Sequence, residues 1–243
     1  MRMLNFAKRN FKELIRDPLS LIFEIALPLF LLFIFQQFDI PSDNYKIENF
    51  TPGIIIFGFS FVTMFTATLI AKDRSSSFLI RLGTSPMKPS DFILGYTLSL
   101  IPIIILQDVL FFVVACLLGL TFTINILFTI LISVVISILF IALGILIGSL
   151  VSEKATGGLG SIIVQLVCFT SGMYFPIEMV GKGFAFVCEL LPFGSCYNII
   201  KGILNNQLDI ISLQNVIVLV VYTIIVLVFS IIIFKKKMVC DNK

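Results

Sequence analysis

The chain has 243 residues, of which 58% are hydrophobic and only 13% charged, with a net charge of +3. No soluble domain of this size needs so apolar a balance, which excludes a water-soluble enzyme or a nucleic-acid-binding module. Histidine is absent and the five cysteines form no C-x-x-C pair, so metal-ligand and histidine-dependent catalytic arrangements lack their usual residues.

In chain order, the first segment is MRMLNFAKRNFKELIRD. Leu4, Ala7, Phe11, Leu14 and Ile15 form one helical stripe, with Asn5, Lys8, Arg9, Lys12 and Arg16 on the opposite face. A basic amphipathic helix of this kind lies in the headgroup plane. Asp17-Pro18 should end it, because proline disfavours helical geometry in the residue before it. Six apolar runs follow, at Leu19–Phe38, Thr51–Ala71, Phe92–Leu118, Thr123–Leu150, Leu159–Phe175 and Leu213–Phe234. A run of roughly 20 apolar residues is long enough to cross a bilayer as a helix. The last run is rich in β-branched residues, but it is too long for a buried strand. The first run follows basic residues like a signal peptide, yet it is too long and no small-residue cleavage site follows it.

The basic residues set the expected orientation. Five precede the first run, four lie between runs two and three, one between runs four and five, and four follow the sixth. That places fourteen of the 17 on one side and leaves Lys46, Lys182 and Lys201 for the other. By the positive-inside rule both termini are expected in the cytoplasm. Runs three and four, joined around Gly119, should form a tight antiparallel hairpin. Gly144 and Gly148 give a small-xxx-small spacing that admits a close helix neighbour, within the subunit or across a dimer.

Between runs five and six, residues 176–211 carry two shorter stripes, Val180/Phe184/Val187/Leu191 and Tyr197/Ile200/Leu204, separated by Pro192-Phe193-Gly194. Neither is long enough to cross, so a re-entrant helical hairpin is expected there. Cys188 and Cys196 fall in this region and could pair. The expected fold is an all-α polytopic membrane protein, a single permease-like domain over 1–243 with six spans, an interfacial helix at 1–17 and this hairpin. No internal repeat supports the inverted-repeat design of many secondary transporters.

The loop at 72–91, KDRSSSFLIRLGTSPMKPSD, mixes charges with Phe78, Leu79, Ile80 and Leu82. A connector needs no such apolar knob; a docking helix or an interfacial helix does. Two acids, Glu24 and Asp108, lie inside expected spans, and Asp108 follows Gln107. A carboxylate at a helix centre costs roughly 2.5–3.5 kcal/mol on insertion scales, so each calls for a specific partner or water. Two roles stay open: an interhelical hydrogen bond, or proton or cation coupling. Phe57, Phe61, Phe65 and Thr68 share a face of the second run close to Ser60 and Thr63, and Ser161 and Gln165 share one on the fifth. These are the candidate substrate-pathway residues.

The chain resembles the membrane subunit of type-2 ATP-binding-cassette exporters. The loop after the second run carries Asp73, Phe78, Leu79, Leu82, Thr84, Ser85 and Pro86, then Phe92, Leu94 and Gly95, matching that family's acidic residue, apolar stretch and Thr-x-Pro. The second match is Ser171-Gly172-Met173-Tyr174-Phe175-Pro176, followed by Leu191-Pro192-Phe193. One departure is Ser75-Ser76-Ser77-Phe78, where the family often has an acidic residue followed by Gly-Thr-Leu-Glu. The resemblance implies an export permease of the plasma membrane, in a bacterium, that pairs with a second permease subunit, identical or homologous. Each subunit would dock an ATPase on Asp73, Arg74, Phe78, Leu79, Arg81, Leu82, Thr84 and Pro86. It implies no cofactor in this chain, since ATP and Mg would bind the partner ATPase; no G-x-x-x-x-G-K-[ST] phosphate loop occurs here. An aromatic-lined path fits an amphipathic or lipid-like cargo such as a drug, an antimicrobial peptide or a lipid-linked glycan. Competing readings are an ion-coupled transporter or channel using Glu24 and Asp108, and a membrane immunity protein that binds without transport.

Overall fold

The computed structural model of the chain describes residues 2–38, 40–76, 89–175, 179 and 181–240. Among the described residues there are nine α-helices and no strand: α1 (Arg2–Ile15), α2 (Pro18–Phe35), α3 (Ile47–Ser75), α4 (Pro89–Leu117), α5 (Asn125–Leu150), α6 (Glu153–Thr170), α7 (Lys182–Leu190), α8 (Pro192–Leu204) and α9 (Leu213–Cys240). Helices are what a chain this apolar must form, because lipid offers the backbone no hydrogen-bond partner.

Four of these helices, α3, α4, α5 and α9, are long and apolar enough to cross a membrane, and they coincide with expected spans two, three, four and six. The count reaches six if each of two bent pairs is one span: α1 with α2, bent by 66°, and α7 with α8, bent by 74°. Expected span five falls on α6, which begins six residues earlier than its apolar run, ends at Thr170 and is not among the helices long and apolar enough to cross. Both bends have one cause. Asp17 and Leu191 each precede a proline, are pushed out of helical geometry, and hand over to a helix that starts with that proline. Asp17 also caps α2, accepting from the Ser20 amide and, at 2.6 Å, from its hydroxyl.

Helix α3 stands at the centre, against α2, α4, α5, α6 and α8. In its apolar window 89% of the residues are buried, against 11% for α9, which leans on α5 and α8 at the periphery. Phe30, Phe33, Phe128, Leu131, Ile224 and Phe229 are exposed around the outside, a surface suited to lipid chains. Helix α3 crosses α5 at the small-residue pair. A Cβ on Gly144 would lie 2.6 Å from the Thr63 carbonyl oxygen, and one on Gly148 would lie 2.5 Å from that of Ala67. The Gly144/Gly148 spacing therefore serves packing inside the subunit.

The loop between α4 and α5 turns at Gly119, whose φ of +115° suits a residue without a Cβ. At the end of the bundle away from α1, Met173 fills the notch left by Gly53, and the Tyr45 hydroxyl donates to the Tyr174 carbonyl at 3.1 Å. Nearby, Lys46 donates to Asp43 at 2.6 Å, which holds that carboxyl below its usual pKa. Helix α8 is largely buried and α7 largely exposed. Cys188 and Cys196, on α7 and α8, are free thiols.

Candidate functional site

The end of the bundle that carries α1 is also where α3 stops and α4 starts, flanking residues 77–88. Of the expected docking residues, Phe78, Leu79, Arg81, Leu82, Thr84 and Pro86 lie outside the described residues. Asp73 and Arg74 do not belong to a free loop; they form the last turn of α3. Asp73 is 1% exposed and accepts two hydrogen bonds of 2.9 Å from the Arg9 guanidinium and one of 2.7 Å from the Tyr96 hydroxyl. One buried carboxylate thus ties α1, α3 and α4 together. Charge-assisted bonds of this kind are the stronger class, and burial raises the cost of breaking them. Arg9 also pairs with Glu13 at 2.5 Å, and Glu13 with Lys72 at 3.3 Å. Arg74 reaches the other way and donates to the carbonyls of Gly148, Ser149 and Val151, at 2.9, 2.8 and 3.3 Å. These carbonyls end α5 and have no helical partner of their own, so a guanidinium there is a charged C-cap.

Helix α1 buries only part of the stripe read from its period: Ala7 is buried and Phe11 and Leu14 are half-buried. Its buried residues are Phe6, Ala7 and Asn10, while Leu4 and Ile15 are exposed. Phe6 makes edge contacts with Phe92 and Tyr96, at 5.4 and 5.0 Å between centroids, and fills the notch at Gly95. The helix has one face for α4 and another for the surroundings, and a single-stripe reading sees only one of them.

Beside this clamp, a cavity of about 60 Å³ lies between α1, α2 and α3. It gathers Glu24 with two of the pathway residues, Phe65 and Thr68, and with Glu13, Asp17 and Lys72. Glu24 is 2% exposed, and its Oε1 has no hydrogen-bond partner. The remaining pathway residues separate. Thr63 is buried and donates to the Phe140 carbonyl of α5 at 2.9 Å, and Ser60 donates to the Phe57 carbonyl of its own helix. Phe57 and Phe61 stack edge to face at 5.1 Å within the packed core. Ser161 and Gln165 lie on an exposed face of α6 in the single subunit.

The second intramembrane acid sits elsewhere, past the middle of α4. Asp108 is fully buried and accepts from the Ser133 hydroxyl of α5, an interhelical hydrogen bond. Its Oδ1 and both polar atoms of Gln107 have no partner. Gln107 occupies the groove at Gly58, where a Cβ would come within 2.1 Å of its Nε2. Asp108 is not among the residues lining the Glu24 cavity. Among the described residues no group of three acidic, cysteine or histidine side chains could hold a metal ion.

An all-helical fold with four to six candidate spans and a polar clamp at one end defines a multi-pass membrane protein. The ABC-2 type transporter family matches residues 3–208. The chain belongs to that family. No curated protein matches it individually. It is a transmembrane permease component of an ABC transporter, not the catalytic ATPase, and membership of this family implies an ABC ATPase subunit as partner.

Proposed function

We propose that the chain is one half of an export permease. It crosses the membrane six times, with α1 in the interface, α7 and α8 as a re-entrant hairpin on the outer side, and both termini in the cytoplasm. Two such subunits, identical or homologous, enclose a path for an amphipathic or lipid-like substrate. ATPase subunits, which hold ATP and Mg, dock at residues 72–91. The positive charge gathered at one end supports the orientation, since Arg9, Lys72 and Arg74 lie there while Lys46 and Lys201 sit at the other.

The observation that carries the reading is the clamp of Arg9, Asp73 and Tyr96 at the mouth of the loop. A partner that pushes on residues 77–88 moves the ends of α3 and α4, and the clamp passes that movement to α1. With Arg74 holding the end of α5, four helices share one corner. A loop gripped so firmly at its base is suited to transmitting force. The test is co-purification with an ATPase subunit from the native membrane. Replacing Phe78–Leu82 by polar residues should abolish it, and ATP-dependent uptake into inside-out vesicles should vanish with it. Retention of both would refute the proposal. Uptake that needs an ion gradient and no ATP would favour the alternative based on Glu24 and Asp108.

A further inference from the structure

The cavity between α1, α2 and α3 is lined by three acidic side chains, Glu13, Asp17 and Glu24. Its acidic groups are accounted for one by one. Glu13 is met by Arg9 and by Lys72. Asp17 is met by the amide and hydroxyl of Ser20. Glu24 alone keeps a buried oxygen, Oε1, with nothing donating to it. A buried carboxylate oxygen without a donor forfeits its hydration, so it is a strong attractor for a hydrogen-bonding cation.

Lys72, the cation in the lining, is paired with Glu13, and the remaining lining residues are apolar or hydroxylic. Phe65 brings an aromatic ring to the lining, and Leu14, Leu21 and Leu69 supply apolar wall. A volume of about 60 Å³ exceeds the ~10–15 Å³ one water requires, yet it is far below the ~300–1,000 Å³ of a site for a whole drug-sized ligand. Only a small head group can enter. Glu24 lies six residues into α2, about 9 Å along its axis from Pro18, so the tail of such a ligand would lie beside apolar helix. An open groove of about 820 Å³ shares Glu13, Asp17 and Lys72 with the cavity and adds Lys8, Lys12 and Arg16, a place for an anionic group on the same molecule.

We propose that this cavity binds the primary ammonium head of a membrane-resident amphiphile, with the Glu24 carboxylate as its acceptor and Phe65 as its π partner. The ammonium comes either from a lipid such as phosphatidylethanolamine or from an amine in transit. As a statement about cargo this rests on the permease reading; as a binding site it stands alone.

The chain has no tryptophan, so Leu21→Trp places a single indole on the wall of the cavity. With the full chain in phosphatidylcholine vesicles, decylamine is expected to shift its emission, and decanol and decyltrimethylammonium are not. Adding Glu24→Gln should weaken the decylamine response roughly tenfold, the scale of one charge-assisted hydrogen bond. Thermal unfolding of the unmodified chain with the same three probes, beside Glu24→Gln alone, guards against an effect of the indole. A decylamine response equal in Glu24→Gln, or matched by decanol, overturns the proposal. Phosphatidylethanolamine in the vesicles competes with decylamine if a lipid is the source and leaves it unchanged if a free amine is; both outcomes require the site. Failure of the ATPase co-purification would remove the permease reading and leave this one, and an indifferent Glu24→Gln would do the reverse.

Discussion

Helices α3 and α9 are both long enough to span a bilayer, and they solve opposite problems. Helix α3 is covered by protein over 89% of its apolar window, and α9 over 11%. Yet α3 is the less apolar of the two. Its Thr51, Ser60, Thr63 and Thr66 are all fully buried. The reason is the solvent. In water a polar side chain is cheapest outside, whereas in lipid the outside is as apolar as the core and polar groups must turn to other helices. Hydrophobicity alone therefore does not say which helix of this protein is buried, since the central one carries buried Thr and Ser beside its Phe and Ile.

This contrast can be broken at several points. The largest effects are expected in α3. Asp73→Ala removes the acceptor shared by Arg9 and Tyr96 and should cost about 3 kcal/mol, chiefly from the charge-assisted bonds lost and the Tyr96 hydroxyl left buried, since Arg9 is partly exposed and keeps Glu13. Unfolding in a denaturing detergent titration would read it, and a loss under 1 kcal/mol would mean that the clamp is not formed. Next comes Ile55→Ala, which opens a cavity around a fully buried side chain and should cost about 3 kcal/mol. The matching Ile224→Ala on α9, at 56% exposure, should change stability by less than about 0.5 kcal/mol. Equal losses at the two positions would erase the distinction. Gly148→Leu should cost about 2 kcal/mol by forcing α5 away from the Ala67 backbone. Lower folded yield together with a lower thermal midpoint would show it. The smallest effect is Thr63→Val, about 0.6 kcal/mol for one interhelical hydrogen bond in a bilayer. A loss above 2 kcal/mol there would mean the hydroxyl does more than bridge to α5.

Much of the architecture was legible from runs and breaks. The four long apolar runs became α3, α4, α5 and α9 because length and composition alone decide whether a helix can span. The breaks at Asp17-Pro18 and Leu191-Pro192 were legible because a proline acts on its immediate neighbour. The polar corner was not. Asp73 is legible as a loop acid, but its partners Arg9 and Tyr96 lie 64 and 23 residues away, and no spacing rule links them. Phe6 was missed because a helix read by its period shows one apolar stripe, whereas α1 packs with a face that includes the polar Asn10. Glu24 was conspicuous as an intramembrane acid, but its company of Phe65 and Thr68 arises from a crossing of α2 over α3.

The order of the amino acids settled that this is a helical membrane protein, where its long helices run and where they break, since these depend on local composition and on proline. Which polar groups meet was settled only when the helices packed. Arg9 finds Asp73, Thr63 finds α5, and Glu24, with one oxygen unpartnered, lines a cavity, because contacts between distant segments depend on crossing geometry that no local pattern encodes.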